Sequence, residues 1–184
     1  YIYIYKKSKI MIYKTINKCR ISKKKDIVSV VKFGKILLTG TFPKSKTQKI
    51  PSTPLEVVYS KSSKLLQLKH NYNPKMLYGN NYGYRSGLNP IMVNHLKTKA
   101  IFLKKKINFN KNNFILDIGS NDGTFLNFFE GKHVFGIDPT INKLKKYYKK
   151  KINKIPFSFE SGFSMIKNKN FKLITAIAMF YDLE

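Results

Sequence analysis

The stretch that most constrains this chain is Phe114-Ile115-Leu116-Asp117-Ile118-Gly119-Ser120-Asn121-Asp122-Gly123-Thr124-Phe125-Leu126. Apolar residues fill positions 114–118 except at Asp117, the pattern of a parallel strand covered on both faces. Gly119 and Gly123 then permit a tight turn and a close approach of the backbone to a ligand. Asp122 reads as the N-cap of a helix that follows. Strand, turn and helix in that order build an open α/β sheet, in which ligands bind beyond the carboxyl ends of the strands. Asp117, Gly119, Ser120, Asn121, Asp122 and Gly123 are therefore the candidate floor of a site.

A second strand, His133-Val134-Phe135-Gly136-Ile137-Asp138, also ends in an acid and is followed by Pro139. Asp138 lies about 20 residues beyond Asp117, the spacing at which a second-strand acid meets ribose hydroxyls. The glycine pattern is G-x-x-x-G rather than the G-x-G-x-x-G that admits a pyrophosphate, and Asp117 and Asp122 would repel phosphate. A nucleoside with a cationic, amino-acid-like arm fits better, and S-adenosylmethionine is such a ligand. The plainer alternative is an ordinary βαβ unit whose acids are merely solvated.

The charge balance invites a different partner. A net charge of +27 on 184 residues is the electrostatic footprint of a nucleic-acid binder. Yet of the 36 basic residues only Arg20 and Arg85 are arginine, the side chain that reads guanine edges and phosphates bidentately. The lysines are dispersed, which favours a solvated surface over a polyanion site. The nine acids are uneven: only Asp26 and Glu56 precede Asp117. One cysteine, Cys19, rules out an intramolecular disulfide and points to a reducing compartment, the cytoplasm. No signal peptide or membrane span is visible. Met11 is read as the true start, and residues 1–10 as a non-native or disordered leader.

Residues 11–70 read as a small β-rich module. Runs at Ile27–Val31 and Lys35–Leu38, divided by Gly34, precede a Lys/Ser/Thr/Pro-rich loop over 42–54, and Leu55–Tyr59 and Leu65–Leu68 predict a hairpin. Residues 71–88 are rich in Tyr and Gly and suit a linker or a lid over a ligand equally. The Rossmann-like part is assigned to 89–184. In it Asn89 and Pro90 open a helix carrying Met92, Leu96, Ala100 and Leu103 on one face, with His95 beside that stripe as a structural residue. Ile141, Leu144, Tyr148 and Ile152 predict a second amphipathic helix. Leu173–Phe180 predicts a further buried strand, after which a doubly wound sheet is expected to continue.

Beside this reading stands a resemblance. The segments Leu77–Asn89, Asp117–Gly123, Gly136–Pro139 and Ala178–Glu184 are similar to the N-terminal half of zinc-module-containing, S-adenosylmethionine-dependent C-methyltransferases of nucleotide-linked deoxysugars. The resemblance implies a partial class I methyltransferase sheet, in the α/β class, preceded by a β-rich zinc-knuckle module. It implies S-adenosylmethionine as cofactor, with Asp138 at the ribose and Asp117, Gly119 and the turn at the methionine arm. Its substrate would be a nucleotide-linked sugar, with Tyr82 and Tyr84 as weak catalytic candidates and the best local candidates for substrate or cofactor contacts, and Ser86 weaker still. The general base would lie in a segment beyond this chain, which is expected to be an N-terminal fragment, inactive alone. The family's two Cys-x-x-Cys knuckles correspond here to Cys19 and Ser22, then Ser60 and Ser63. One thiol and three hydroxyls argue against zinc. An inactive or binding-only remnant and a nucleic-acid-binding protein or RNA methyltransferase remain as alternatives.

Overall fold

A computed structural model describes residues 11–38, 42–78 and 82–179. The leader at 1–10, Gly40, the Gly79–Asn81 part of the Tyr/Gly-rich stretch, Phe180 and the final four residues of the motif at 178–184 lie outside the described residues. The chain divides into two compact units between Gly83 and Tyr84.

The first unit is built from short antiparallel pairings. β1 (Tyr13–Thr15) pairs with β5 (His70–Tyr72), and β2 (Ile27–Leu37), β3 (Ser52–Ser60) and β4 (Leu66–Leu68) form a three-stranded sheet in that order. The predicted hairpin is present as β3 and β4, with Val57 opposite Leu68 and Tyr59 opposite Leu66. The two runs expected on either side of Gly34 are instead one strand. Its register against β3 shifts between Ser29 and Val31 and again between Lys32 and Gly34. A bulge admits an extra residue without ending the ladder, and Gly34 supplies the positive φ of 82° that the second one uses. The loop expected over 42–54 is also shorter. Ser52, Thr53 and Pro54 join β3 opposite Leu37, Ile36 and Lys35. A short α1 (Pro74–Leu77) follows β5, with Asn73 accepting from the Lys75 N–H.

In the second unit a 3-10 turn at Ser86–Leu88 leads into α2 (Pro90–Lys106), the helix predicted to start at Asn89 and Pro90. The Asn89 side chain accepts from the Ile91 N–H at 2.9 Å and Pro90 takes the first turn. Lys104, Lys105 and Lys106 occupy its last turn, where positive charge complements the helix dipole. β6 (Ile115–Ile118), β7 (Val134–Ile137), β8 (Asn153–Ile155) and β9 (Leu173–Ala176) form one parallel sheet in the spatial order β8-β7-β6-β9. The period-2 alternation of strands divides the core. Ile115 and Val134 pack with Leu96, Ala100, Phe125 and Leu126 on one face. Leu116, Ile118, Phe135 and Ile137 pack with Ile155 and Ile166 on the other.

Two predicted helices are shorter than expected. After the Gly119–Gly123 turn there is only a single 3-10 turn at Leu126–Phe128, and it begins without a side-chain cap. Asp122 holds the Thr124 N–H and hydroxyl in a local turn, while Asn127 bonds across to Tyr147 O and Lys149 N. Those bonds replace helical ones. The helix predicted over 141–152 is α3 (Ile141–Leu144) and a 3-10 turn at Lys145–Tyr147. Continuing it would set Lys145 against Lys149 and Lys146 against Lys150, like charges one turn apart. Instead Tyr148 becomes extended and turns inward, and the chain enters β8, which periodicity did not predict. The remaining connection carries α4 (Phe159–Gly162). β9 is described to Ala176, short of the predicted end at Phe180.

The glycines give a graded test. Gly34 has φ +82°, and a Cβ added there would meet nothing within 4 Å, so Gly34→Ala should cost only the backbone strain, about 1–2 kcal/mol. Gly123 has φ +75° and a Cβ there would lie 2.5 Å from the Tyr148 ring. Gly123→Ala should add overpacking of about 1–3 kcal/mol to the same strain. Urea unfolding of the two variants checks the order; equal losses would mean that Tyr148 does not pack on Gly123.

Candidate functional site

β6 leads to β7 on one side of it, and the chain then returns from β8 to form β9 on its other side. Such a reversal opens a crevice at the carboxyl ends of the two strands. Asp117 sits there, 3% exposed, directly opposite Thr175 in the β6–β9 register. The Thr175 hydroxyl donates to its Oδ1 at 2.7 Å. Burial pushes the Asp117 carboxyl up, the Thr175 hydroxyl opposes that, and the charge of Asp138 adds to it, leaving the group at about 7. Sequence reasoning missed Thr175. Its signal is a hydroxyl interrupting Leu-Ile-Thr-Ala-Ile, but the pairing with Asp117 needs the register.

The turn after β6 is fixed by its own side chains. Gly119 and Asn121 adopt φ of +71° and +50°. A Cβ on Gly119 would collide with the Met179 side chain. The Asn121 N–H donates to Asp138 Oδ2 at 2.9 Å, tying the turn to the end of β7. Asp138 Oδ1 accepts from both the N–H and the hydroxyl of Thr140, at 2.7 and 2.6 Å. The Ser120 hydroxyl and Tyr148 hydroxyl are 2.8 Å apart, and Tyr148 also donates to Asn121 O at 2.7 Å. Burial raises the Tyr148 phenol, and the carboxylates of Asp138, Asp117 and Asp122 reinforce this against the Ser120 bond. Tyr148 therefore stays protonated and serves as a donor.

Asp122, expected as a helix cap, anchors something else. Its Oδ2 accepts from the Gly87 N–H at 2.9 Å and lies 3.3 Å from Arg85 Nε. Asn121 Oδ1 accepts from the Ser86 N–H at 3.0 Å, and its amide donates to Tyr84 O at 3.2 Å. Arg85 also lies over the Tyr147 ring at 3.8 Å, a cation–π contact. Residues 84–87 thus form a strap across the turn. Of the two tyrosine candidates, Tyr84 is on this strap and 47% exposed, whereas Tyr82 belongs to the first unit, where it stacks edge-on with Tyr78. Ser86 contributes its backbone N–H.

In the first unit the four knuckle positions come together. Cys19 is buried, and its Sγ is 3.1 Å from Ser63 Oγ. Ser62 Oγ donates to Ser22 Oγ at 3.1 Å, and Ser60 Oγ accepts from the Ser63 N–H at 3.4 Å. Burial pushes the Cys19 thiol up, but bonds from the Ser63, Ser22 and Ser60 hydroxyls and the Ser22 backbone outweigh it and bring the thiol down to about 5.

The parallel sheet and its strand-end acids define an α/β domain compatible with a Rossmann-like methyltransferase fold. Comparison with known proteins agrees. A family model, Methyltransf_13, described as "Putative zinc binding domain", matches residues 19–78. The C-methyltransferase NovU of Streptomyces niveus is 27% identical over 152 residues, which is 80% of this chain and 36% of NovU. The chain thus spans about a third of the length of that curated relative. Both matches are of the kinds the motifs resemble, one to a zinc-binding-domain model and one to a C-methyltransferase. The matched segment begins at Cys19 and takes in Ser22, Ser60 and Ser63. Its implied zinc does not fit these residues. Zinc sites of this kind use thiolates and imidazoles, and among the described residues no group of three or more His, Cys, Asp or Glu is placed to hold a metal. Among the described residues no helix is long and apolar enough to cross a membrane.

Two outcomes follow. Arg85→Ala should release the strap, seen as faster hydrogen exchange at the Ser86 and Gly87 amides, while the β6 and β7 amides stay protected; unchanged exchange at 86–87 would show that Arg85 does not hold it. Asp117 gives a pH signature. Its folded value near 7 is above its ordinary value of 3.8, so the folded state binds more protons between those limits and stability falls as pH rises from about 4 to about 7. Asp117→Asn should flatten that part of the stability–pH curve and raise stability at pH 8. A variant with the wild-type slope would remove Asp117 as its source.

Proposed function

We propose that this chain provides the cofactor-binding part of an S-adenosylmethionine-dependent C-methyltransferase acting on a nucleotide-linked deoxysugar. The observation that carries the reading is Asp117, a buried carboxylate at the switch point of the sheet for which the described donor is one threonine hydroxyl. A carboxylate accepts about four hydrogen bonds, so this one has capacity for a cationic ligand group. The α-ammonium of a methionine arm has the right charge. The similarity to a C-methyltransferase supports the same chemistry.

When bound, the cofactor would supply a methyl group on a sulfonium. The residues of this chain would bind and orient it. Asp117 and the Gly119 backbone would meet the amino-acid arm, with the Met179 side chain moving off Gly119 to admit it. Ser120, Asn121, Asp122 and Gly123 would shape the turn beneath. Asp138 has three of its acceptor positions filled by Thr140 and the Asn121 N–H, and the remaining position on Oδ2 would accept a ribose hydroxyl. Tyr84, partly exposed on the strap, is the better of the two tyrosine candidates for contact with cofactor or sugar; Tyr82 is the other.

Calorimetric titration with S-adenosylmethionine tests this. Asp138→Ala should weaken binding about tenfold, the equivalent of one or two hydrogen bonds, and Gly119→Val should abolish it. The pH profile should be bell-shaped. Affinity rises as pH climbs through about 7, where Asp117 ionises, and falls above about 8, where the ligand's α-amino group loses its proton. Below pH 7 binding should release a proton, so the measured heat should depend on the buffer's ionisation enthalpy. A flat profile with buffer-independent heat would overturn Asp117 as the partner of the ammonium. Transfer of a labelled methyl group to a nucleotide-linked keto-sugar tests the substrate class.

A further inference from the structure

The two knuckle turns of the first unit are alike in backbone as well as in position. In the first, Cys19 N–H donates to Lys24 O at 2.9 Å, and Lys23 has φ +60°. In the second, Ser60 N–H donates to Leu65 O at 2.9 Å, and Lys64 has φ +57°. Both are closed by the same bond across five residues. Both place a left-handed residue directly after the second knuckle position, a conformation that lysine adopts only when the surroundings impose it. The ligand positions, however, hold one cysteine and three neutral hydroxyls, and the hydroxyls compete poorly with water for zinc.

What holds the turns against each other is visible. Asp26, immediately before β2, takes the Ser60 hydroxyl on Oδ1 at 3.1 Å and the Ser62 N–H on Oδ2 at 2.6 Å. Its own carbonyl accepts from the Lys61 N–H at 3.3 Å. The Ser62–Ser22 and Cys19–Ser63 contacts add two direct bridges between the turns. Asp26 is one of only two acids in the first 116 residues, and its bonds to hydroxyl and amide are charge-assisted, the stronger kind.

We infer that this module keeps the geometry of a paired metal knuckle without the metal, and that a hydrogen-bonded clasp centred on Asp26, Ser60 and Ser62 replaces the ion. The two arrangements are alternatives for one task, so removing one should matter only where the other is missing. This inference concerns the first unit alone and stands independently of the methyl-transfer reading.

The test is a cycle on the full chain. Purified wild-type protein should carry substoichiometric zinc, keep its unfolding midpoint in chelator, and give no thiolate-to-metal charge-transfer band with cobalt. The triple variant Ser22→Cys, Ser60→Cys, Ser63→Cys should bind one equivalent of cobalt with the spectrum of a tetrahedral thiolate site. Asp26→Ala should speed amide exchange of the 60–64 turn about tenfold in the wild-type background, as expected for loss of a charge-assisted bond. In the zinc-loaded triple variant it should have little effect. Asp26→Asn is the milder form should the alanine variant fold poorly, and should show the same dependence on background. One tightly held zinc in the wild type, no cobalt site in the triple variant, or an equal effect of the Asp26 changes in both backgrounds would each overturn the inference.

Discussion

A carboxylate taken out of water must be given donors, and in the second unit this requirement decides where the loops at the carboxyl edge of the sheet go. Asp138 draws in the Asn121 N–H and Thr140, which joins the end of β7 to the turn after β6. Asp122 draws in Gly87 and Arg85, which lays the strap over that turn. The turn's left-handed Gly119 and Asn121 are tolerable because these bonds over-determine it. Tyr148 adds the last constraint from below, since its hydroxyl reaches Ser120 and Asn121 only if α3 stops early.

The same economy appears in the choice of cation. With lysine supplying nearly every positive charge, the two arginines both occupy places that use the planar guanidinium, Arg20 as a fork of donors and Arg85 as a charged flat face. Arg20 reaches the Gln67 side chain and Leu68 O from Nη1 and Asn71 Oδ1 from Nη2, pinning the first knuckle turn to β4 and β5. Arg85 pairs with Asp122 and lies flat on Tyr147. An ammonium has neither the directed donors Arg20 uses nor the flat face Arg85 uses. The arginines therefore contribute to internal architecture, while the lysines are dispersed along the sequence.

How much of this was legible in the sequence depends on the range of the interaction. The β6 and β7 strands, the turn between Gly119 and Gly123, and the capped start of α2 are encoded within a few residues each, by apolar runs, glycines and the Asn-Pro pair. The closing of four separated positions around Cys19 followed from the resemblance. Periodicity missed what distant residues decide. Gly34 reads as a break, yet pairing with β3 turns it into a bulge inside one strand. Ile141 to Ile152 carries a helical stripe, yet lysine repulsion and the pull of Ser120 on Tyr148 end the helix after one turn. β8 is short and interrupted by lysine, so only its neighbour β7 identifies it. Asp122 is recognisable as a capping residue, but its partner lies 35 residues upstream.

The three acids at this edge of the sheet differ in how far the fold already satisfies them, and under the proposed function that difference would separate their roles. Asp122 and Asp138 each hold several donors from the chain, so a ligand approaching either must share a carboxylate that structure depends on. Asp117 is buried as well, but its described donor is the Thr175 hydroxyl alone, and it is pushed toward the neutral form. Keeping it ionised near pH 7 without a cation disfavours the folded state, and a bound ammonium would return that free energy as affinity. The residue that contributes least to the resting fold is thus the one best able to discriminate a charged ligand. Asp138, with one acceptor position left, can add orientation but only modest binding energy. Under the proposed function, that ordering would put the charged arm of the ligand at the β6–β9 crevice and its neutral hydroxyls at β7, the polarity of an amino-acid-bearing nucleoside.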